Sequence, residues 1–332
     1  MDDATLNPQP DARQGLEGDL LRIVELLEPR LGHADQPPQP LGGGITNRNY
    51  RARFGGTDYV IRVPGKDTSL LEIDREAERI ANERAAQVGI APPVAAMLAE
   101  PQAIVTVFVE GTGLEPADLR RPEALTEVAR SLRAIHELGE PLPTVFDSFR
   151  IVETYAATAV ERGAALPDAY QEAGREAARI EAALSGPEHD PVPCHNDLLA
   201  ANFIRGRSTG TGSAGQLWLV DWEYAGMGDR YFDLANFAVN NELGEAAQEQ
   251  LLADYFGHGA DPRERARRLA ALRLMCFMSD FREAMWGVVQ SVVSELDFDF
   301  ADYRDRHFDR LRETAADPRF ASWLEEAGES AG

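Results

Sequence analysis

Val192-Pro-Cys-His-Asn-Asp-Leu-Leu-Ala-Ala-Asn-Phe-Ile204 and Leu217-Trp-Leu-Val-Asp-Trp-Glu223 flank a run of small and polar residues, Arg205-Gly-Arg-Ser-Thr-Gly-Thr-Gly-Ser-Ala-Gly215. Apolar, β-prone residues on either side of a Gly/Ser/Thr segment predict two strands joined by a flexible turn. Such a hairpin sets Asp197 on the loop before the first strand, Asn202 at that strand's mouth and Asp221 at the end of the second. Two carboxylates and one amide are thereby brought together.

The order His-x-Asp-x-x-x-x-Asn, followed by an apolar strand ending in Asp, is a spacing used in phosphoryl transfer. That reaction needs a hard cation over the phosphate oxygens, and Mg²⁺ takes a few oxygen ligands from protein, with waters and phosphates completing its shell. Asn202 and Asp221 suit that role. A carboxylate within reach of the acceptor hydroxyl is also needed, and Asp197 supplies it. Taken singly, Asp197 and Asn202 are ordinary turn residues and Asp221 caps a strand. Their joint spacing carries the chemical reading.

At 332 residues with 44% hydrophobic content, the chain can bury a large core and is expected to form two lobes. It has no apolar run of about 18 residues or more, so no membrane span is expected. The acidic start Met1-Asp-Asp-Ala-Thr is unlike a signal peptide, and a cytoplasmic location is expected. Cys194 and Cys276 are far apart, which argues against a disulfide framework or a zinc ribbon. Cys194 beside His195 suggests a thiol nucleophile only if the two face each other; a buried small residue is the simpler role. A formal charge of −23 disfavours nucleic acid and favours a cationic substrate.

Along the chain, residues 1 to about 17 read as a loose polar arm. Apolar spacing predicts a helix over Leu20 to Leu31, ended by Gly32 and the pair Pro37-Pro38. Leu41-Gly-Gly-Gly-Ile-Thr-Asn-Arg-Asn-Tyr50 leads into strands at Tyr50–Phe54 and Tyr59–Val63 joined by a Gly-Gly turn. This is a flap whose backbone N–H groups can cup phosphates, with Thr46, Asn47 and Asn49 adding polar contacts. Three glycines alone are more often a plain loop. A helix capped by Thr68 or Ser69 runs to Val88. In a phosphotransferase of this type a strand cation pairs with an acid on that helix; Arg62 is the cation and Glu78 its expected partner, with Glu76 as runner-up. By themselves these charges read as a solvated face. Ala103 to Val109 predicts a strand emptying at Phe108 into a linker whose backbone reads an adenine edge.

Beyond that linker the periodicity is helical, from Pro122 to Leu138, from about Val152 to Leu184 with a break near Gly163 and Pro167, up to Phe256, and from Pro262 to about Leu296. Early strands and late helices predict an α+β chain. Its N-terminal lobe of antiparallel sheet and one helix spans 1–108, and a larger, mostly helical C-terminal lobe with the hairpin spans 109–332.

Gly42-Gly-Gly-Ile-Thr-Asn-Arg-Asn-Tyr50, Tyr59-Val-Ile-Arg-Val-Pro-Gly65, Cys194-His-Asn-Asp-Leu198, Val220-Asp-Trp-Glu-Tyr224 and Phe232-Asp-Leu-Ala-Asn236 together resemble the choline/ethanolamine kinase family, within the wider aminoglycoside phosphotransferase-like group. The resemblance covers about residues 40 to 300 and implies a bilobal protein-kinase-like fold and ATP- and Mg²⁺-dependent phosphorylation of choline's hydroxyl. It implies Asp197 as base, Asn202 and Asp221 as metal ligands, Glu223 as a further metal ligand or the carboxylate behind one, and Asp233 as structural. Arg62 stands where protein kinases use Lys. A quaternary ammonium needs aromatic faces and carboxylate charge. The helix Met275 to Gln290 resembles the family's aromatic-bearing helix, which puts Trp286 against the methyl groups, with Phe281, Tyr224 and Trp222 as weaker candidates. Aromatics on such a helix are otherwise core.

The implied partners are ATP and a small cationic alcohol, with assembly as a homodimer left open. The alternatives are a kinase for an aminoglycoside, thiamine or ethanolamine, and a catalytically silent nucleotide-binding module. A silent module is expected to lose a residue of the Asp197, Asn202 and Asp221 set, all of which are present. A metal hydrolase using His195, Asp197 and Asp221 leaves the Gly-rich flap unexplained.

Overall fold

The computed structural model describes residues 10–42, 47–65, 71, 73–207, 215–294, 296 and 298–328. Contacts divide the chain into two compact units, the first drawn from Met1–Thr68, Pro92–Glu110 and Glu295–Phe298, the second from Ser69–Ala91, Gly111–Ser294 and Asp299–Gly332.

The first unit begins with helix α1 (Pro10–Leu31). The helix starts well before the expected Leu20 and replaces part of the loose arm, since Pro is favourable at a first helical position and Asp-Ala-Arg-Gln continues the helix readily. Strands β1 (Ala34–Leu41), β2 (Asn47–Phe54), β3 (Thr57–Pro64), β4 (Val94–Ala99) and β5 (Gln102–Val107) form one antiparallel sheet in the order β1-β2-β3-β5-β4. Strand β1 holds Pro37, Pro38 and Pro40, which only an edge strand with an irregular ladder tolerates, and its register shifts twice along its pairing with β2. These prolines therefore lie in the sheet and do not terminate the helix. Helix α1 ends at Gly32, whose φ of +98° and close approach to Gly55 in the β2–β3 turn leave little room for a Cβ.

Alternation sorts the sheet into two faces. Tyr50, Ala52, Phe54, Ile61, Val63, Ala103 and Val105 pack on Ile23 and Leu27 of α1. Asn47, Asn49 and Arg62 stand on the opposite face, with Asn49 and Arg62 directly across from each other in the register.

The second unit opens with α2 (Arg75–Gln87). The expected caps Thr68 and Ser69 lie outside the described residues. The cap is Asp74, whose side chain accepts the N–H groups of Glu76 and Ala77 at 2.9 Å each. The sequence expectation groups this helix with the N-terminal sheet; by contacts Ala81 and Ala85 join the second unit's apolar core with Leu71, Ile73 and Ile90. The chain continues through β6 (Gly111–Gly113), α3 (Pro116–Leu119), α4 (Pro122–His136), α5 (Ser148–Glu161), α6 (Asp168–Ala183), β7 (Val192–Cys194), β8 (Phe203–Gly206), β9 (Leu217–Leu219) and β10 (Gly226–Gly228). It ends with α7 (Arg230–Asn240), α8 (Glu245–Phe256), α9 (Pro262–Val293), α10 (Phe300–Ala316) and α11 (Phe320–Gly328).

The predicted hairpin is β8–β9, pairing Phe203 with Leu219 and Arg205 with Leu217; residues 208–214 lie outside the described set. Gly111, expected in a linker, is instead part of β6, which pairs with β8 and leaves no space for a Cβ against Arg205. Helix α9 is buried almost continuously from Ala270 to Gln290, and α7 packs on it. No helix among the described residues is long and apolar enough to cross a membrane.

Candidate functional site

The loop from His195 to Asn202 joins β7 to β8, and its backbone is held by side chains from distant helices. Asp233 in the first turns of α7 accepts the N–H groups of His195 at 2.8 Å and Asn196 at 2.6 Å. One turn on, Asn236 accepts the N–H of Leu198 at 2.6 Å, and Asn241 donates to the Leu198 carbonyl at 3.1 Å. Residues 233 and 236 share one face of a helix, so α7 offers two acceptor side chains to the loop amides of His195, Asn196 and Leu198.

Burial alone raises Asp233's pKa, yet His136 at 3.0 Å and the loop N–H groups outweigh it and hold the carboxyl below its ordinary value. The resemblance's structural role for Asp233 fits this saturation. His136, Cys194 and Asp233 have ligand atoms within 4.8 Å of one another. Those of His136 and Asp233 are already spent, His136 on Tyr255 and Asp233, and burial pushes the Cys194 thiol well above its usual range. The cluster is a buried hydrogen-bond network, and Cys194 is no nucleophile.

His195 links the loop to the hairpin. Its Nδ1 accepts the N–H of Asp197 at 3.2 Å and its Nε2 donates to the carbonyl of Val220 at 3.1 Å, which fixes the tautomer and leaves no nitrogen for a metal. Asn196 takes a left-handed φ of +65° and donates from Nδ2 to the carbonyl of Tyr224 at 3.0 Å. Asn202 donates from Nδ2 to the Asp197 carbonyl at 2.8 Å and lies 3.4 Å from Asp197 Oδ2. Its own carbonyl accepts the N–H of Val220 at 3.0 Å, so the residue after Val220, Asp221, begins beside it. Asp221 is half-buried and has a φ of +67°. Asp197, Asn202 and Asp221 are thus brought together, as their spacing suggested.

Burial pushes the Asp197 carboxyl up to about 8; Arg282 pulls it down, while Glu283, Asp221 and Glu223 push it further up. Glu223 is buried and lies 3.2 Å from Arg75, which also holds Glu78 at 2.7 Å. The cation against Glu78 within this unit is therefore Arg75, on the same helix. Glu76 is exposed and grips Arg79. Sequence reasoning passed over both Arg75 and Arg282. A charged residue on a helix looks solvated until its burial is known.

The aromatic candidates separate. Trp286 donates from Nε1 to the Tyr224 hydroxyl at 3.2 Å and packs edge-on against Tyr303 and Phe300. Tyr303 in turn donates to Glu283 at 2.7 Å, so Trp286, Tyr224 and Tyr303 stand together beside the Glu283 carboxylate. Phe281 is core, packed among Phe277, Phe308 and Tyr170, and it is withdrawn as a pocket residue. Trp222 is also withdrawn: it packs on His195 and donates to the Leu219 carbonyl.

In the first unit, Asn47 is buried, while Asn49 and Arg62 are half-buried. Thr46 lies outside the described residues. The backbone N–H of Phe108 donates to the Asp58 carbonyl at 2.9 Å and Arg51 covers its ring at 4.0 Å, so that N–H is not available to an adenine.

Comparison with known proteins bears on the fold and the family. A mouse protein named ethanolamine kinase 2 is 27% identical over 309 residues, covering 85% of this chain and 77% of its own length. A crystal structure of a choline/ethanolamine kinase family protein from Mesorhizobium loti superposes with a TM-score of 0.76 at 27% identity, covering 95% of this chain and 99% of that one. The choline kinase LicA from Streptococcus pneumoniae shares the fold, with a TM-score of 0.72 at 23% identity over 91% of this chain and 99% of its own. The fold is thus that of the protein-kinase-like phosphotransferases. Residues 38–270 match the model of the phosphotransferase enzyme family, and with its sheet, pinned loop and hairpin in place the chain belongs to that family.

Proposed function

We propose that this phosphotransferase moves the γ-phosphoryl group of ATP to the hydroxyl of choline or a similar amino-alcohol. The observation that carries the reading is the junction at Asn202, whose side chain binds Asp197 and whose carbonyl receives the N–H next to Asp221. One base and two oxygen ligands then share one small volume, as phosphoryl transfer requires.

The donor set suits Mg²⁺. Asn202 spends its Nδ2 on Asp197, which leaves its amide oxygen as the remaining acceptor, and Asp221 supplies a carboxylate. Bound there, the ion neutralises phosphate oxygens. Glu223, engaged with Arg75, supports the ligands from behind, and Glu78 acts through the same arginine. Asn47, Asn49 and Arg62 are assigned to nucleotide phosphates, in keeping with their shared face of the sheet.

Asp197 accepts a hydrogen bond from the acceptor hydroxyl and takes its proton as the new O–P bond forms and the bond to ADP breaks. The His195 ring and Asn202 hold the loop while this happens. Trp286, Tyr224 and Tyr303 with Glu283 offer π-faces and negative charge to the cationic end of the substrate.

ATP consumption measured with Mg²⁺ against choline, ethanolamine, thiamine and aminoglycosides tests the reading. Turnover with choline or ethanolamine is expected. Turnover on aminoglycosides alone overturns the Trp286 head-group assignment, and ATP binding without turnover on any alcohol makes the chain a silent module.

A further inference from the structure

Arg282 lies in the middle of α9 and is only 2% exposed. Its Nη1 sits 2.6 Å from Glu283 Oε1 and 3.4 Å from Asp197 Oδ1, and its guanidinium carbon lies 4.4 Å over the ring of Tyr224. The two contacts differ in kind. Charge-assisted bonds of full strength run about 2.7–2.9 Å, so the Glu283 contact anchors the guanidinium, and the Tyr303 hydroxyl at 2.7 Å fixes Glu283 from its other oxygen. The Asp197 contact is long. Asp197's second oxygen has a similarly long contact, 3.4 Å from Asn202 Nδ2.

We propose that Arg282 is a positioning residue for phosphoryl transfer, holding the Asp197 carboxylate between itself and Asn202 while keeping it apart from Glu283. The proposal rests on the reading of Asp197 as base. Two long contacts, one per oxygen, orient the carboxylate without saturating it, and lone pairs remain for the acceptor hydroxyl. Glu283 makes this feasible by anchoring the arginine through Nη1, the same nitrogen that faces Asp197, so one fixed donor group stands between the two acids. Without the guanidinium, two buried carboxylates face each other, and the reacting one is free to rotate. Stacking on Tyr224 keeps the fork in plane. A counter-ion serving Glu283 alone would not need to reach a loop 85 residues away in sequence.

The test compares Arg282→Gln, Arg282→Lys and the double variant Arg282→Met/Glu283→Gln with wild type by kcat, KM for ATP and Tm. Misplacing a catalytic group by about 1 Å costs about 100-fold, so Arg282→Gln is expected to lower kcat by about 30- to 300-fold with KM for ATP within about 3-fold. Arg282→Lys is expected to recover part of that loss. Removing both members of a buried ion pair often leaves stability near wild type, so the double variant is expected to regain Tm while kcat stays low even at saturating acceptor, where the loss of Glu283 from the head-group pocket is confined to the acceptor KM. Recovery of kcat together with Tm in the double variant overturns the proposal, because Arg282 then only neutralises Glu283. Unchanged kcat in Arg282→Gln overturns it as well. Asp197→Ala is run in parallel: retained turnover there removes the reading of Asp197 itself, whereas loss of turnover there with unchanged Arg282 variants overturns only the positioning role.

Discussion

The β2–β3 hairpin and the loop His195–Asn202 both present polar side chains, by opposite means. In the hairpin, Asn49 and Arg62 are set across from each other by an unbroken ladder from Asn47–Pro64 to Phe54–Thr57, so backbone pairing fixes their register. The loop has little regular structure of its own, and its position depends on Asp233, Asn236 and Asn241, around 40 residues further along the chain. A ladder spreads its stability over many equivalent bonds. A loop held by three buried side chains concentrates it, and single substitutions there should be far more costly.

Asp233→Ala is the largest break. It leaves two buried N–H groups and His136 without their acceptor, and about 3–5 kcal/mol of stability should be lost, read as a shift of the denaturant midpoint. The same carboxylate gives a pH signature. Its folded pKa lies below the ordinary value of 3.8, so its contribution is complete above about pH 4 and is lost as pH falls through the depressed folded value. Acid titration of stability should show that segment in wild type and lose it in Asp233→Asn.

Asn236→Ala comes next, at about 1–3 kcal/mol, because it strands the Leu198 N–H in a buried place. Asp197 carries the opposite sign. Its pKa rises from 3.8 to about 8, so its ionisation costs stability progressively as pH climbs from about 4 to about 8. In magnesium-free buffer at pH 8, Asp197→Asn should therefore raise Tm by a few degrees, on the order of 2–5 °C. Asn49→Ala, on the laddered hairpin, should change stability by about 0.5 kcal/mol or less. A cost for Asn49→Ala equal to that of Asn236→Ala would erase the contrast.

What the sequence made legible followed locality. Alternation at Tyr50–Phe54 and Tyr59–Val63, helical spacing through α9 and the spacing of Asp197, Asn202 and Asp221 are short-range patterns, and each appears in the structure. Strands β1 and β4 escaped notice because one is rich in proline and the other lacks alternation of polar and apolar residues. Arg75 and Arg282 escaped notice because a helical arginine beside a glutamate has the sequence pattern of a solvated pair. Only the depth at which they are buried marks them out. Trp286 and Phe281 lie five residues apart on one helix, and only packing separates the residue beside Tyr224 from the one in the core.

The turnover number of Asp197→Ala, measured with saturating ATP, Mg²⁺ and an amino-alcohol that wild type phosphorylates, tests the assignment of the base most directly. A fall of about 100- to 10,000-fold with nucleotide affinity retained is expected of a lost general base. Turnover within about 3-fold of wild type would contradict it.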